Sequence, residues 1–166
     1  MAQVVASKRR PGERGAALVE LALVLPLLLV VIAGIVDFGF ALQRYEVVTN
    51  AAREGARLGS MSGYNAAFLQ ERVRQYVKQA LNLSDSALDD VMPAATGVSV
   101  SYPDVTINLS GGGSVVAPAA RVDAFYHHQF MLLGPVMGLI NASWGQSITL
   151  KSSSVMRIQT IGAGGS

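Results

Sequence analysis

The sequence contains no cysteine, which removes disulfides and thiolate metal sites and leaves the redox compartment open. Charge is scarce as well: Asp, Glu, Lys and Arg make up 14% of the chain, and they are unevenly placed. Lys8, Arg9, Arg10 and Arg14 against Glu13 give Met1–Gly15 a surplus of three cations, so the total of +2 leaves the remainder slightly acidic. A basic face for nucleic acid is therefore excluded. There are two histidines, His127 and His128, and on a strand such neighbours point to opposite faces with no third ligand nearby in sequence. No metal site or cofactor is expected. Asp89-Asp90 reads as a helix cap and solvated loop rather than an acid–base pair. Gly111-Gly112-Gly113 leads into Val115-Val116-Ala117-Pro118 instead of a helix N-terminus, so it is no phosphate cradle. There is no G-x-S-x-G elbow. Nothing here builds an active site, and the chain is not expected to be an enzyme.

What the sequence does have is one long apolar run. Leu21–Val36 carries no charge, and the apolar residues around Glu20 and Asp37 extend it to Ala16–Leu42. A helix needs roughly 20 apolar residues to cross a bilayer core, so the run is long enough to span. Lys and Arg beside a first span stay cytoplasmic, which places residues 1–15 inside as a polar, disordered leader and everything after the span outside. Three readings of this N-terminus compete: a conventional cleaved signal peptide, an uncleaved anchor, and a leader cut before the apolar run. The run exceeds the 7–15 residues of a signal peptide, and no A-x-A site follows it. Those two facts argue against the first reading; a leader cut before the run is the leading expectation, with the uncleaved anchor as its alternative. Pro26 frees the carbonyl of Ala22, so a bend is expected there, tolerated where neighbouring helices satisfy the carbonyl.

A cut after Gly15 would give Ala16 a free α-amino group, largely protonated at neutral pH since such groups have a pKa of about 7.7–8.0. Glu20, at the mouth of the span, is an acidic partner for that amine within the chain or on an adjacent subunit. Glycine suits the cut site because an extended backbone without a side chain enters a protease cleft closely. The bland alternative is that Glu20 merely sits well near the positive end of the helix.

Residues 43–60 are expected to continue the helix as a stalk. Ala52, Ala56 and Gly59 share a face with Val48 and allow another helix to approach closely; otherwise the segment is a solvated stalk. Residues 61–166 form the remaining domain. Asn65–Leu83 is amphipathic, with Leu69, Val73, Tyr76, Val77, Ala80 and Leu81 in one stripe facing a sheet. A short helical turn capped by Ser86 precedes Pro93. Val98, Val100 and Tyr102 alternate, Pro103 breaks the register, and Val105, Ile107 and Leu109 alternate again. Ala120, Val122, Ala124 and Tyr126 line one face of the next strand, and Ile148, Leu150, Met156 and Ile158 one face of the last. Ser152-Ser153-Ser154 in that last strand marks a bulge or an edge. Phe130–Asn141 is too short and broken to span, and reads as a loop or short helix over the sheet edge or against the bilayer surface. The fold class is thus α+β: a long N-terminal transmembrane helix continuing into a stalk, then an amphipathic helix packed on a small antiparallel sheet of three to four strands.

Four stretches resemble the TadE-like family, pilin-related proteins of the tight-adherence (Flp-type) pilus system. They are Arg14-Gly15-Ala16-Ala17-Leu18-Val19-Glu20, Leu23–Leu29, Gly34-Ile35-Val36-Asp37-Phe38-Gly39 and Thr49-Asn50-Ala51-Ala52-Arg53-Glu54-Gly55-Ala56-Arg57. Ile148-Thr149-Leu150 with Ser154–Ile158 also looks like the family's closing strand. The resemblance implies a minor pseudopilin of the bacterial inner membrane, needed for pilus assembly and cut by a prepilin peptidase between Gly15 and Ala16, with Glu20 completing the processing signal. Leu21 stands where pilin-type signals often carry an aromatic. Implied partners are other pilins and pseudopilins, the peptidase, an inner-membrane assembly platform and the lipid bilayer. The competing reading is a membrane-anchored extracytoplasmic binding or sensory module without processing, suggested by the apolar Phe130–Ile140.

Overall fold

In the computed structural model, residues 11–61, 63–139 and 147–158 are described. The expectations for residues 1–10, for Ile140 and Asn141 and for the tail after Gly162 lie outside them. The first helix, α1 (Pro11–Gly59), is 49 residues long, or roughly 70 Å at about 1.5 Å per residue. Its described part begins at Pro11. Residues 11–15, expected to be disordered, therefore belong to the helix. α1 continues through Pro26 as one element.

Two different surfaces follow one another along α1. From Leu18 to Phe40 its large apolar side chains are exposed. From Ala41 onward one face disappears into the protein: Val48, Ala51, Ala52 and Ala56 are all fully buried. The segment expected to be a stalk is instead the central helix of the domain. Its small residues set the packing distance. A Cβ on Gly55 would stand 2.5 Å from Val73 Cγ2 and 3.3 Å from Val122 Cγ1, and one on Gly59 would stand 2.9 Å from Ala120 Cβ.

α2 (Ala66–Leu81) begins at Asn65, whose side chain accepts a hydrogen bond from the Phe68 N–H at 2.8 Å. It ends at Asn82 in the left-handed region, φ 50°, with the Leu83 N–H closing back on the Lys78 carbonyl. Only Leu69, Val73 and Val77 of the expected stripe are buried, while Tyr76 is 39% exposed. The stripe is narrow because α2 packs in a corner between α1 and the sheet rather than lying flat on the sheet. α3 (Asp85–Val91) is capped by Ser84, not by Ser86: the Ser84 hydroxyl accepts from the Ala87 N–H at 3.2 Å. Ser86 instead sits 3.1 Å from that hydroxyl.

β1 (Val98–Ser101), β2 (Asp104–Asn108), β3 (Ser114–Gln129) and β4 (Ser147–Arg157) form an antiparallel sheet around β3. β2 pairs with the first part of β3 and β1 with a later part, on the same edge. They are one strand interrupted at Tyr102-Pro103, and the Ala119 N–H bridges the gap to the Pro103 carbonyl at 2.9 Å. β4 occupies the other edge and pairs from Ala119↔Arg157 to Gln129↔Ser147 without a slip. There is no bulge at Ser152–Ser154; the serines mark an edge strand. Their small side chains take the inward positions that aliphatic residues hold elsewhere, with Ser152 opposite Ala124 and Ser154 opposite Val122. α1 and α2 cover this face of the sheet. The other face is polar, with Arg121 donating to Asp123 at 3.0 Å and His127 3.0 Å from Thr149.

Candidate functional site: the membrane entrance and the helix–domain junction

At the entrance, Gly15 and Glu20 are exposed on α1, and nothing lies within 4 Å of a Cβ placed on Gly15. The bond between Gly15 and Ala16 is inside the helix, so a protease that needs extended backbone has to unwind the first turns. Glycine makes that the easiest point, since it weakens a helix by about 1 kcal/mol relative to alanine. Ala16 and Glu20 are four residues apart and so lie on one face, one turn from each other. An amine created at Ala16 would therefore stand below the Glu20 carboxylate of its own chain, and an adjacent subunit's amine would compete for it. Pro26 lies farther along the exposed span, where no described residue packs over it.

The span itself is bare: none of its most apolar stretch is buried. A surface of this size left exposed in water would drive aggregation; lipid or other apolar helices must cover it.

The junction at the far end is the feature that sequence reasoning missed. Asp37 is buried, 1% exposed, although it belongs to the apolar run. Its two oxygens accept hydrogen bonds from three consecutive backbone N–H groups: Met131 at 3.2 Å, Leu132 at 3.2 and 3.0 Å, and Leu133 at 2.7 Å. These N–H groups open α4 (Leu133–Leu139), a short helix with no acidic or basic residue in its terminal turns. The carboxylate from one helix thus caps the start of another, meeting donors that would otherwise lack partners. Phe130 completes the joint, its ring 5.6 Å from that of Phe38, and Leu133 Cδ1 lies 3.9 Å from a Cβ placed on Gly34. The signal was present in the sequence: Asp37 is the lone charge between Glu20 and Arg44.

One turn of α1 and more above it, Arg44 Nη1 lies 3.3 Å from Nδ1 of His128 and the guanidinium sits 5.7 Å from the centre of the Phe40 ring. An arginine can only donate, so Nδ1 accepts and the neutral imidazole carries its proton on Nε2. Burial, reinforced by the Arg44 charge, pushes the His128 pKa below its ordinary value despite the opposing pull of Asp37. His128 Nε2 is buried without a hydrogen-bond partner. His127 points to the opposite face, as neighbours on a strand do. Among the described residues no group of three or more His, Cys, Asp or Glu could hold a metal ion.

Ala52 and Ala56 are fully buried in the domain core, and Gly59 lies against Ala120 and Leu69. The helix that approaches this face closely is α2 of the same chain.

Among the described residues one helix is long and apolar enough to cross a membrane, and it is rooted in a one-faced α+β domain; this is consistent with a single-pass membrane anchor that shares one element with its domain. Residues 15–57 match the family model described as TadE-like protein, and the match ends within two residues of the end of α1. It therefore covers the span and the core helix and leaves the sheet outside. No curated protein and no solved structure matches the chain.

Proposed function

We propose that this chain is a minor pseudopilin that serves assembly of a tight-adherence (Flp-type) pilus or a related secretion machine and has no enzymatic activity of its own. The observation that carries the proposal is the TadE-like match beginning at Gly15, on a helix whose whole apolar surface is bare from Leu18 to Phe40. That surface suits a protein that waits in a membrane and can pack beside other anchors of its kind. In this reading a prepilin peptidase removes residues 1–15, the domain lies on the extracytoplasmic side, and Glu20 meets the amine at Ala16. Other pilin-like subunits and an inner-membrane assembly platform are its partners.

The test is the intact mass of the membrane-extracted protein from cells with and without a prepilin peptidase. Loss of residues 1–15 only where the peptidase is present supports processing, and Glu20→Ala should then disturb assembly. An unchanged mass in both strains removes the processed-pilin reading. The alternative of an unprocessed binding module drew on Phe130–Ile140 as a ligand surface; Phe130 and Leu133 turn instead onto α1.

A further inference from the structure

A carboxylate three residues inside the end of a spanning helix needs a reason. After Glu20, the next charged side chain other than Asp37 is Arg44, so Leu21–Leu42 is apolar but for that one residue. A hydrocarbon core about 30 Å thick takes up about 20 residues of helix, which reaches from Leu21 to Phe40 and puts Asp37 several ångströms inside its edge. An unpaired carboxylate is strongly disfavoured at that depth, and so is a backbone N–H without a partner. The structure resolves both problems with one contact: Asp37 accepts from Met131, Leu132 and Leu133, and is itself 1% exposed.

We propose that Phe130–Leu139 is a foot set into the domain-side leaflet of the bilayer, with Asp37 as the clip that lets non-helical backbone enter the apolar layer. Lipid is the occupant of its outer surface. The argument is continuity: Met131, 65% exposed, and Leu132, 43% exposed, stand at the level of Gly34–Phe38, where α1 itself bares Ile35 and Phe38 at 69% and 56%. Foot and span form one uncharged belt, since Phe130–Leu139 contains no ionisable residue. The foot gives the domain a second hold on the membrane beside α1, and so limits its rotation about the helix axis. The inference rests on α1 crossing a bilayer and is independent of pilus assembly or of cleavage at Gly15.

The absence of native cysteine allows a direct test on the full chain. Single substitutions Met131→Cys, Leu132→Cys, Val31→Cys in the span and Leu109→Cys beyond β2 are spin-labelled in phosphatidylcholine–phosphatidylglycerol vesicles. Relaxation by oxygen is compared with relaxation by a polar nickel chelate present on both sides. A polar chelate partitions poorly into hydrocarbon, so the oxygen-to-chelate ratio at 131 and 132 should exceed that at 109 by roughly tenfold and approach that at 31. A ratio at 131 and 132 equal to that at 109, with 31 still protected, overturns the foot alone; loss of protection at 31 overturns the anchor itself. Protection that falls on dilution with excess lipid, with label–label broadening before dilution, means a second copy covers the face and also overturns the proposal. Asp37→Asn leaves one acceptor oxygen for three donors, so the ratios at 131 and 132 should drop while 31 is unchanged. Unchanged ratios in that variant refute the clip.

Discussion

Replacing Gly55 by alanine should destabilise the domain, although the same change in an ordinary helix interior stabilises by about 1 kcal/mol. The new Cβ would lie 2.5 Å from Val73 Cγ2, and non-bonded carbons prefer about 3.5–4.0 Å, so α2 has to retreat by roughly 1 Å. It cannot retreat freely: Val73 is 1% exposed and sits between Leu69 and Val77, both fully buried. Val122 Cγ1, at 3.3 Å, blocks escape towards β3. Overpacking of this kind costs typically 1–3 kcal/mol, which outweighs the propensity gain and leaves a net loss of about 1 kcal/mol. Thermal unfolding of the full chain in detergent, followed by circular dichroism, should show a midpoint lowered by a few degrees. Val73→Ala alone removes buried methyl groups and lowers the midpoint for a different reason, lost burial and a cavity. The two substitutions together should cost less than their sum by about 1 kcal/mol, because the alanine methyl at 55 then occupies vacated space. Strict additivity, or a Gly55→Ala protein that melts higher than the parent, would refute the close approach of α1 and α2 described above.

Three further outcomes are expected. Ser84→Ala should cost about 1 kcal/mol by leaving the Ala87 N–H uncapped, with Ser86→Ala nearly neutral, measured by the same melts. The pKa of His128 is lowered in the folded state, so the unfolded chain binds more protons in the window just below the ordinary histidine value of about 6.5. Its contribution is complete above that value and is lost as pH falls through the folded pKa; melting should thus weaken from pH 7 towards pH 5, and a His128→Gln protein should lack that part of the slope. Inserting one alanine between Ala41 and Leu42 turns Asp37 by about 100° relative to the domain and should detach α4, whereas one alanine inserted between Val30 and Val31 leaves the domain's melting unchanged. Limited proteolysis near residue 132 reports the difference.

Much of the fold was legible because each strand alternates cleanly. Ala120, Val122, Ala124 and Tyr126 face inward, His127 outward, and the Tyr102-Pro103 interruption falls between β1 and β2 as the broken pattern implies. The serines of β4 misled because a polar triplet looks like a defect; Ser152 and Ser154 are small residues facing an alanine-rich helix, while Ser153 stands on the exposed face. The reason for glycine at position 55 is Val73, eighteen positions away, which local propensity does not reveal. The Asp37 contact pairs residues more than ninety positions apart, and no periodicity carries such information. Its only trace was an isolated charge in an apolar run, which marks that a partner exists without saying where. At the entrance, spacing alone defined the Gly15–Glu20 relation, and the helical geometry adds that Ala16 and Glu20 share a face.

The change in side-chain size along α1 follows from what each part has to touch. The span carries leucine, valine and isoleucine because a fluid hydrocarbon moulds itself around large side chains. The second half carries Ala51, Ala52, Gly55, Ala56 and Gly59 because a sheet and a second helix are rigid and must come close from two sides. A run of small residues on an anchor helix therefore does not by itself advertise a surface for other subunits; here the domain consumes it. The surface that α1 leaves uncovered falls into two parts, the bare span up to Leu42 and the back of the helix at Tyr45, Glu46, Asn50, Arg53 and Arg57. Under the pilus-assembly proposal, the first would serve packing between anchors through dispersion and the Glu20–amine pair. The second is polar apart from Tyr45, and of its charges Arg57 is already engaged with Glu54 at 2.8 Å. The proposal of pilus assembly therefore assigns packing along α1 to the apolar span, and leaves the domain's part to the sheet's outer face and edges.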